Sequence, residues 1–459
     1  MKKTHLRLTA LLLVLVMVLT AGCGGGKATT LSGAIENTLA IDKATFEGEI
    51  SFKDIPQMSG SPITGIAFSG AIDRGDYDFS LEFSLKKDKN ATTEESYGME
   101  AAVLQALLSA KGSLVTVTKT GGFLYIDFSP IIKIYGDNLQ DVIFGLLFSS
   151  EGRDDYEDAK EACADAKLDD LDTLIALYMY GTNSYYDDME EVIDDMDEYA
   201  DDVDEIRATI EDIEEAAGIT VPELLKATGV KVELGALSKD AKAAIAKFEN
   251  ALVGMVKAAE EADKEFVTVD KKAGSYEWEL SDDNVEDIME PVFDYLLDQV
   301  DDLWDAWGTI ADWGVHESVL PGNVKKVLEK VDEYLDYGIA DDFDDQLEDA
   351  YDAMTDKGVK KDIESALEDA QDGLDDFADS MKDRKATISG TYTLTGGKGK
   401  RVATCEIEMK TKEEGSASIE FTLTEGSAKI EAPGNALDVM AIIDKADIEA
   451  IMEIIEDLR

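Results

Sequence analysis

Hydrophobic and polar residues alternate along both ends of this chain. Alternation with a period of two is typical of strands that bury one face. It predicts strands over residues 45–52, 63–72, 77–85, 114–118, 123–128, 386–394, 401–409 and 419–423. Turn residues separate these runs, for example Asp73-Arg74-Gly75-Asp76 and Thr120-Gly121-Gly122. Such turns join antiparallel neighbours, so both ends are expected to contribute to an antiparallel sheet.

The middle of the chain follows a helical pattern instead. Apolar residues keep a 3-4-3-4 spacing over 189–213, with acidic residues between them, which predicts a helix with one narrow apolar seam. The same spacing over 245–259 predicts a helix that faces this seam. Further helices are expected over 31–43, 99–110, 139–148, 285–312, 323–337, 342–354, 359–382 and 441–458.

These patterns predict an α+β fold with a curved antiparallel sheet built from the N- and C-terminal segments. A large acidic, all-helical insertion interrupts it. The expected domains are a signal peptide over 1–22, a lipidated tether over 23–30, a sheet-containing domain formed by 31–150 plus 386–459, and the insertion over 151–385. Within the insertion, residues 264–280 return to a strand-like pattern.

Charge is concentrated in the insertion. The chain has 43 basic and 100 acidic residues, a formal net charge of −57. Residues 151–385 carry about −48 of it, whereas 24–150 and 386–459 carry about −6 each. Such a field repels nucleic acid and attracts cations or basic partners, so nucleic-acid binding is excluded.

The first residues read as an export signal. Residues 1–7 are basic and 8–19 are apolar and uncharged, a core too short for the ~20 residues of a membrane-spanning helix. The segment ends in Leu19-Thr20-Ala21-Gly22-Cys23, which resembles the lipobox of bacterial lipoproteins. The resemblance implies cleavage between Gly22 and Cys23 and a diacylglyceryl group, with a palmitate-type acyl chain, on Cys23. Acyl chains of this kind would hold the protein on the extracytoplasmic face of the cell membrane.

The order of elements also resembles the LolA/LppX-like envelope lipoproteins. The segments that carry this resemblance are 32–52, 76–85 and Gly121-Gly122-Phe123-Leu124-Tyr125-Ile126. It covers the 24–150 and 386–459 pieces. It implies a curved sheet that wraps helices and encloses an apolar cavity for lipid chains.

Candidate chemistry is sparse. His316 is the one histidine after the signal, which disfavours histidine-dependent catalysis and His/Cys zinc sites, so we expect no enzyme and no resident cofactor. The carboxylates favour weak Ca²⁺ binding over paired-carboxylate hydrolysis, although no calcium-loop motif is present. Cys163 and Cys405 are expected to be free, buried thiols, with one disulfide as the alternative.

Two further groups of residues are candidate contact sites. Trp304, Trp307 and Trp313 form the densest aromatic cluster and are candidate ligand contacts, with an ordinary core seam as the alternative. Residues 398–401 (Lys-Gly-Lys-Arg) are predicted to form a basic hairpin tip that could dock on the acidic block or an anionic headgroup.

The sequence therefore predicts a membrane-anchored, extracytoplasmic lipoprotein. Two main hypotheses describe its function. The first is non-enzymatic binding of a lipid or another apolar or amphiphilic ligand. The second is an interaction or structural role in which acidic helices dock a basic protein partner or bind cations. A carboxylate-dependent hydrolase ranks last.

Overall fold

The computed structural model describes residues 28–53, 63–87, 113–136, 139–147, 153–182, 186, 188–198, 200–335, 338–412, 415–427 and 429–457. Gly22, Cys23 and the helix expected over 99–110 lie outside these residues. The predicted fold class is confirmed. The chain is α+β, with a twelve-stranded, mostly antiparallel sheet and a large helical segment in its middle.

The strands come from both ends and from the middle of the chain. They are β1 (Lys43–Lys53), β2 (Ile63–Asp73), β3 (Asp78–Lys87), β4 (Val115–Thr120), β5 (Phe123–Asp127), β6 (Gly229–Glu233), β7 (Val267–Asp270), β8 (Ser275–Leu280), β9 (Thr387–Thr395), β10 (Val402–Thr411), β11 (Gly415–Glu425) and β12 (Ala436–Asp438). Their order in the sheet is β12-β6-β5-β4-β3-β2-β1-β11-β10-β9-β8-β7. N-terminal β1 pairs antiparallel with C-terminal β11, so the two ends complete one sheet, as predicted.

The described residues include most of the predicted helices, but those expected over 359–382 and 441–458 are each divided into two. The described helices are α1 (Leu31–Leu39), α2 (Ser129–Tyr135), α3 (Leu139–Leu147), α4 (Arg153–Asp165), α5 (Asp170–Thr182), α6 (Met189–Glu198), α7 (Ala200–Ala217), α8 (Val221–Leu225), α9 (Lys239–Ala262), α10 (Val285–Asp312), α11 (Val319–Leu335), α12 (Ile339–Thr355), α13 (Lys357–Asp372), α14 (Leu374–Arg384), α15 (Val439–Lys445) and α16 (Ile448–Asp457). A π-helical turn, Trp313–Glu317, follows α10.

The chain divides into two compact units. Unit 1 draws on residues 1–81, 235–318 and 345–430, and unit 2 on residues 82–234, 319–344 and 431–459. In unit 1, α1 packs Leu31, Ala34 and Ile35 against β8, β9 and β10. In unit 2, α6 buries Met189 and Val192 in a cluster that includes residues of α3, α4 and α5. Each unit therefore has its own apolar core.

The helix pairing expected from sequence is wrong. The 245–259 face belongs to α9, which packs on α10 and α1 in unit 1. The apolar seam over 189–213 is divided between α6 and α7, and α6 packs on α4 and α5 in unit 2. Heptad spacing shows which face of a helix is apolar, but it does not identify what covers that face.

The tight turn between β4 and β5 fixes the register of these two strands. β4 ends at Thr120 and β5 begins at Phe123, so Gly121 and Gly122 are the whole loop. Their φ angles are 60° and 84°. A two-residue hairpin with positive φ at both positions is the type I′ turn, which glycine adopts without steric cost.

Candidate functional site

The sheet of unit 1 has two faces of opposite character. On one face Tyr276, Tyr392, Cys405 and Phe421 are aligned across β8, β9, β10 and β11. All four side chains are buried. Because successive residues of a strand point to opposite sides, their neighbours lie on the other face.

That other face is polar and carries rows of carboxylates and hydroxyls. One row aligns Glu277, Thr391, Glu406, Glu420 and Glu49 across five strands. The adjacent row aligns Glu279, Ser389, Glu408, Ser418 and Ser51 in the same way. Glu277, Glu279, Glu406 and Glu420 are exposed, so this face of the sheet is open to solvent.

A cleft of about 630 Å³ lies on this polar face, and we call it the carboxylate cleft. Its acidic lining residues are Asp263, Glu265, Glu277, Glu279, Glu406, Glu408 and Glu420. Hydroxyl groups come from Thr268, Ser389, Thr391 and Ser418. Phe266 and Trp278 also border the cleft, and their side chains pack against buried apolar clusters of unit 1. The volume lies in the range of small-ligand sites, but the lining is polar instead of apolar.

Like charges face one another in the floor of this cleft. Glu406 is directly opposite Glu420, and Glu420 is directly opposite Glu49. Opposed like charges on neighbouring strands each cost about 0.2–1 kcal/mol. Over the described part of the chain, no Lys or Arg lies within ion-pair distance of Glu406 or Glu420, whereas Lys410 Nζ is 2.6 Å from Glu408 Oε2. A bound cation would relieve this repulsion.

Close packing on the buried face of the sheet fixes the position of Trp278. A Cβ atom at Gly390 would come within 2.4 Å of the Trp278 ring. Glycine is therefore required for the indole to lie against β9. The Trp278 ring also contacts Phe266, with ring centroids 6.1 Å apart.

An ion pair at the beginning of β10 and the end of β11 ties helix α1 to the sheet. Both Nε and Nη2 of Arg401 donate to the Glu425 carboxylate, at 2.8 and 2.7 Å. Nη1 of Arg401 also donates to the Asn37 carbonyl at 2.8 Å. These hydrogen bonds from Arg401 lower the pKa of Glu425 to about 2. Residues 398–401 lie in the hairpin loop between β9 and β10, as predicted. Arg401 is only 4% exposed, so this residue is not available for docking.

The tryptophans singled out from sequence lie elsewhere in unit 1. Nε1 of Trp307 donates to the Met354 carbonyl at 2.9 Å, and Nε1 of Trp313 donates to the Ala236 carbonyl at 3.2 Å. Trp304 is half-buried and Trp307 is 40% exposed. None of the three lines the carboxylate cleft.

His316 also lies outside the carboxylate cleft. Its Nε2 is 4.0 Å from Asp312 Oδ1, and its ring meets the Tyr351 ring edge-on with centroids 5.0 Å apart. These contacts hold the ring between a carboxylate and an aromatic side chain in the π-helical turn.

The two described cysteines are free and buried, as predicted. Burial raises the pKa of Cys163 to about 11 and that of Cys405 to about 12. Both thiols are therefore protonated at neutral pH and poor nucleophiles.

The described residues contain no group of three or more His, Cys, Asp or Glu side chains arranged to hold a metal ion. Among the same residues, no helix is both long and apolar enough to cross a membrane.

Sequence reasoning did not identify the carboxylate cleft. The available signal was the repeated Glu-x-Glu of Glu277-Trp278-Glu279 and Glu406-Ile407-Glu408, which puts two carboxylates on one face of a strand. The two Glu-x-Glu segments come close together because β9 lies between β8 and β10 in the sheet. The sequence does not predict that strand order.

Comparisons with protein-family models, curated proteins and solved structures give no match for this chain. The resemblances to lipoproteins therefore stay predictions.

Proposed function

We propose that this protein is an extracytoplasmic lipoprotein, anchored through Cys23, that binds a cationic ligand in the carboxylate cleft. The ligand class we propose is a lysine- or arginine-rich peptide segment of a partner protein. The role is binding without a chemical step.

The observation that carries the proposal is the row of opposed carboxylates in the cleft. Glu406 and Glu420 face each other across neighbouring strands without a basic partner among the described residues. The repulsion costs stability in the free protein, and a cationic ligand would convert that cost into binding free energy.

The cleft chemistry favours the basic partner over the apolar ligand. An apolar ligand needs a mainly hydrophobic lining. The carboxylate cleft instead presents seven acidic side chains and four hydroxyl side chains.

Binding of a fluorescent hexalysine peptide, followed by anisotropy, tests the cleft. Replacing both Glu406 and Glu420 by Gln should weaken binding by about 2- to 30-fold, because each exposed ion pair contributes about 0.2–1 kcal/mol. The wild-type affinity should fall steeply as salt is raised.

The matched control removes the same charge from a solvated surface. Glu348 and Glu368 are exposed on α12 and α13 of unit 1, outside the cleft lining. The Glu348→Gln, Glu368→Gln variant should bind hexalysine almost as the wild type does. Equal loss in both double variants would show that the peptide responds to the overall acidic field, and would refute the cleft.

The anchor is tested separately. Cys23→Ala should move the protein from the membrane fraction to the soluble extracytoplasmic fraction, and intact mass of the wild type should include a diacylglyceryl group. An unmodified wild type would refute the lipoprotein part of the proposal and leave the cleft part standing.

A further inference from the structure

Residues 28–32, the first that the structure describes, are held firmly by other parts of unit 1. The hydroxyl of Tyr276 donates to the Ala28 carbonyl at 3.0 Å, and Ala28 packs against the apolar cluster under α1. The backbone N–H groups of Leu31 and Ser32 donate to the two oxygens of Glu260, at 2.5 and 3.0 Å. Glu260 lies two residues before the end of α9, so the N-terminus of α1 is fixed to the C-terminal end of α9.

The covalent reach from Cys23 to this point is short. Residues 24–27 are the four that separate Cys23 from Ala28. Five Cα–Cα steps span at most about 18 Å even when fully extended. This upper limit holds for any conformation of the segment. The polar layer of one leaflet is about 5–8 Å thick, so an acylated Cys23 keeps Ala28 close to the headgroups.

The same end of α9 leads into the carboxylate cleft. α9 ends at Ala262, and residues 263–266 connect it to β7. Asp263, Glu265 and Phe266 of this connection line the cleft. We name the region formed by Ala28, the N-terminus of α1, Glu260 and residues 263–266 the anchor corner.

We infer that the anchor corner faces the lipid leaflet that holds Cys23, so that one end of the carboxylate cleft opens at headgroup level. This inference rests on the proposed acylation of Cys23. Residues 257–265, which overlap the anchor corner, carry Lys257, Lys264 and four carboxylates. Because this charge gives no attraction to an anionic leaflet, the short tether sets the orientation. The cationic segment bound in the cleft would then belong to a partner that presents it beside the membrane surface.

Energy transfer from two matched sites tests the orientation. Lys239 is the first residue of α9, and Lys264 lies two residues beyond its last. Both side chains are exposed. The two ends of this 24-residue helix are about 35 Å apart. Lys264→Cys and Lys239→Cys each remove one positive charge and add one thiol. Selective labelling is feasible because Cys163 and Cys405 are buried and Cys23 would be blocked by its lipid.

The experiment uses lipidated protein in vesicles of a zwitterionic phospholipid that contains an acceptor-labelled headgroup lipid. Transfer from position 264 should exceed that from position 239 by roughly twofold or more, since position 264 is nearer the leaflet by up to about 35 Å, the length of α9. A 16-residue Gly-Ser insertion after Gly26 should reduce transfer from position 264, because it adds about 20–24 Å of average reach.

The possible negative results refute different parts of the proposal. Protein that does not float with vesicles refutes the acylation and with it the basis of the inference. Protein that floats but gives equal transfer from both positions refutes the orientation alone. Transfer from position 264 that is unchanged by the insertion also refutes it, because the tether would then not control the distance.

Discussion

The ion pair between Arg401 and Glu425 offers a sharp test of how the sheet of unit 1 is held to helix α1. Glu425 accepts from two nitrogens of Arg401 and from the backbone N–H groups of Gly399 and Arg401, at 2.7 and 3.1 Å respectively. Arg401 in turn donates to the Asn37 and Ala40 carbonyls at the end of α1. Glu425→Gln removes the charge at the centre of this network while keeping the size of the side chain.

The expected loss follows from the pKa of Glu425. Hydrogen bonds from Arg401 lower that pKa from 4.5 to about 2. A difference of this size corresponds to roughly 3 kcal/mol of folding free energy at pH 7. The side chains of Arg401 and Glu425 are only 5% and 13% exposed, so solvent screens the pair little. Glu425→Gln should therefore lower the free energy of unfolding by about 3 kcal/mol at pH 7.

The pH dependence has a definite sign. Because the folded-state pKa of Glu425 lies below its unfolded-state value, the charged carboxylate stabilises the fold above pH 4.5. This stabilisation is lost as the pH falls from 4.5 towards 2. The difference between wild type and variant should shrink over the same interval, since the wild-type carboxyl becomes protonated there.

Urea unfolding followed by tryptophan fluorescence measures this difference. All four tryptophans of the chain lie in unit 1, so the signal reports the unit that contains the pair. Glu420→Gln, on the same strand, is the matched control. It should keep or slightly raise stability because it removes a charge opposed by Glu406 and Glu49. A Glu425→Gln loss below 0.5 kcal/mol, or one that does not vary between pH 7 and pH 3, would refute the reasoning (a threshold of about one weak surface pair).

Three further predictions concern packing, thiols and the attachment of α1. Gly390→Ala should destabilise unit 1 by about 1–3 kcal/mol, because a Cβ would meet the Trp278 ring at 2.4 Å; an unchanged urea midpoint would contradict this. Cys163 and Cys405 should resist a thiol reagent at pH 7 until the protein is unfolded, and rapid labelling of the native protein would show that burial does not control them. Glu260→Gln should reduce the protection of α1 amides from hydrogen exchange by about 1–2 kcal/mol, because two backbone donors lose a charged acceptor; unaltered protection would argue against that attachment.

Long periodic segments were predictable from sequence. The helix expected over 285–312 is α10, with the same bounds. The alternating runs became β1, β2, β9, β10 and β11 within a few residues of the predicted limits. In these segments the spacing of hydrophobic residues repeats over enough residues to distinguish a helix from a strand.

Short elements that depend on tertiary pairing were not predictable. β6 has five residues and β12 has three, and they form a parallel pair between segments about 200 residues apart. Neither segment is long enough to establish a period of two. The helix expected over 359–382 is divided at Gly373 into α13 and α14.

The candidate site was the least predictable part. Its floor brings Glu277 of the middle segment beside Glu406 and Glu420 of the C-terminal segment. Local pattern gives the face on which each glutamate lies, but only strand order and register bring the three together. For Arg401 the local pattern was misleading. It belongs to a run of basic residues, which is typical of an exposed surface, but its side chain is buried in an ion pair with Glu425.

The central claim is that a cationic segment binds in the carboxylate cleft, and carboxyl footprinting tests it most directly. Carbodiimide coupling of an amine to exposed carboxylates, read by peptide mass spectrometry, would be compared with and without hexalysine. The account predicts that the peptide protects Glu277, Glu406 and Glu420 while Glu348 and Glu368 react as before. Protection spread evenly over all five, or absent from the cleft glutamates while the peptide is bound, would contradict it.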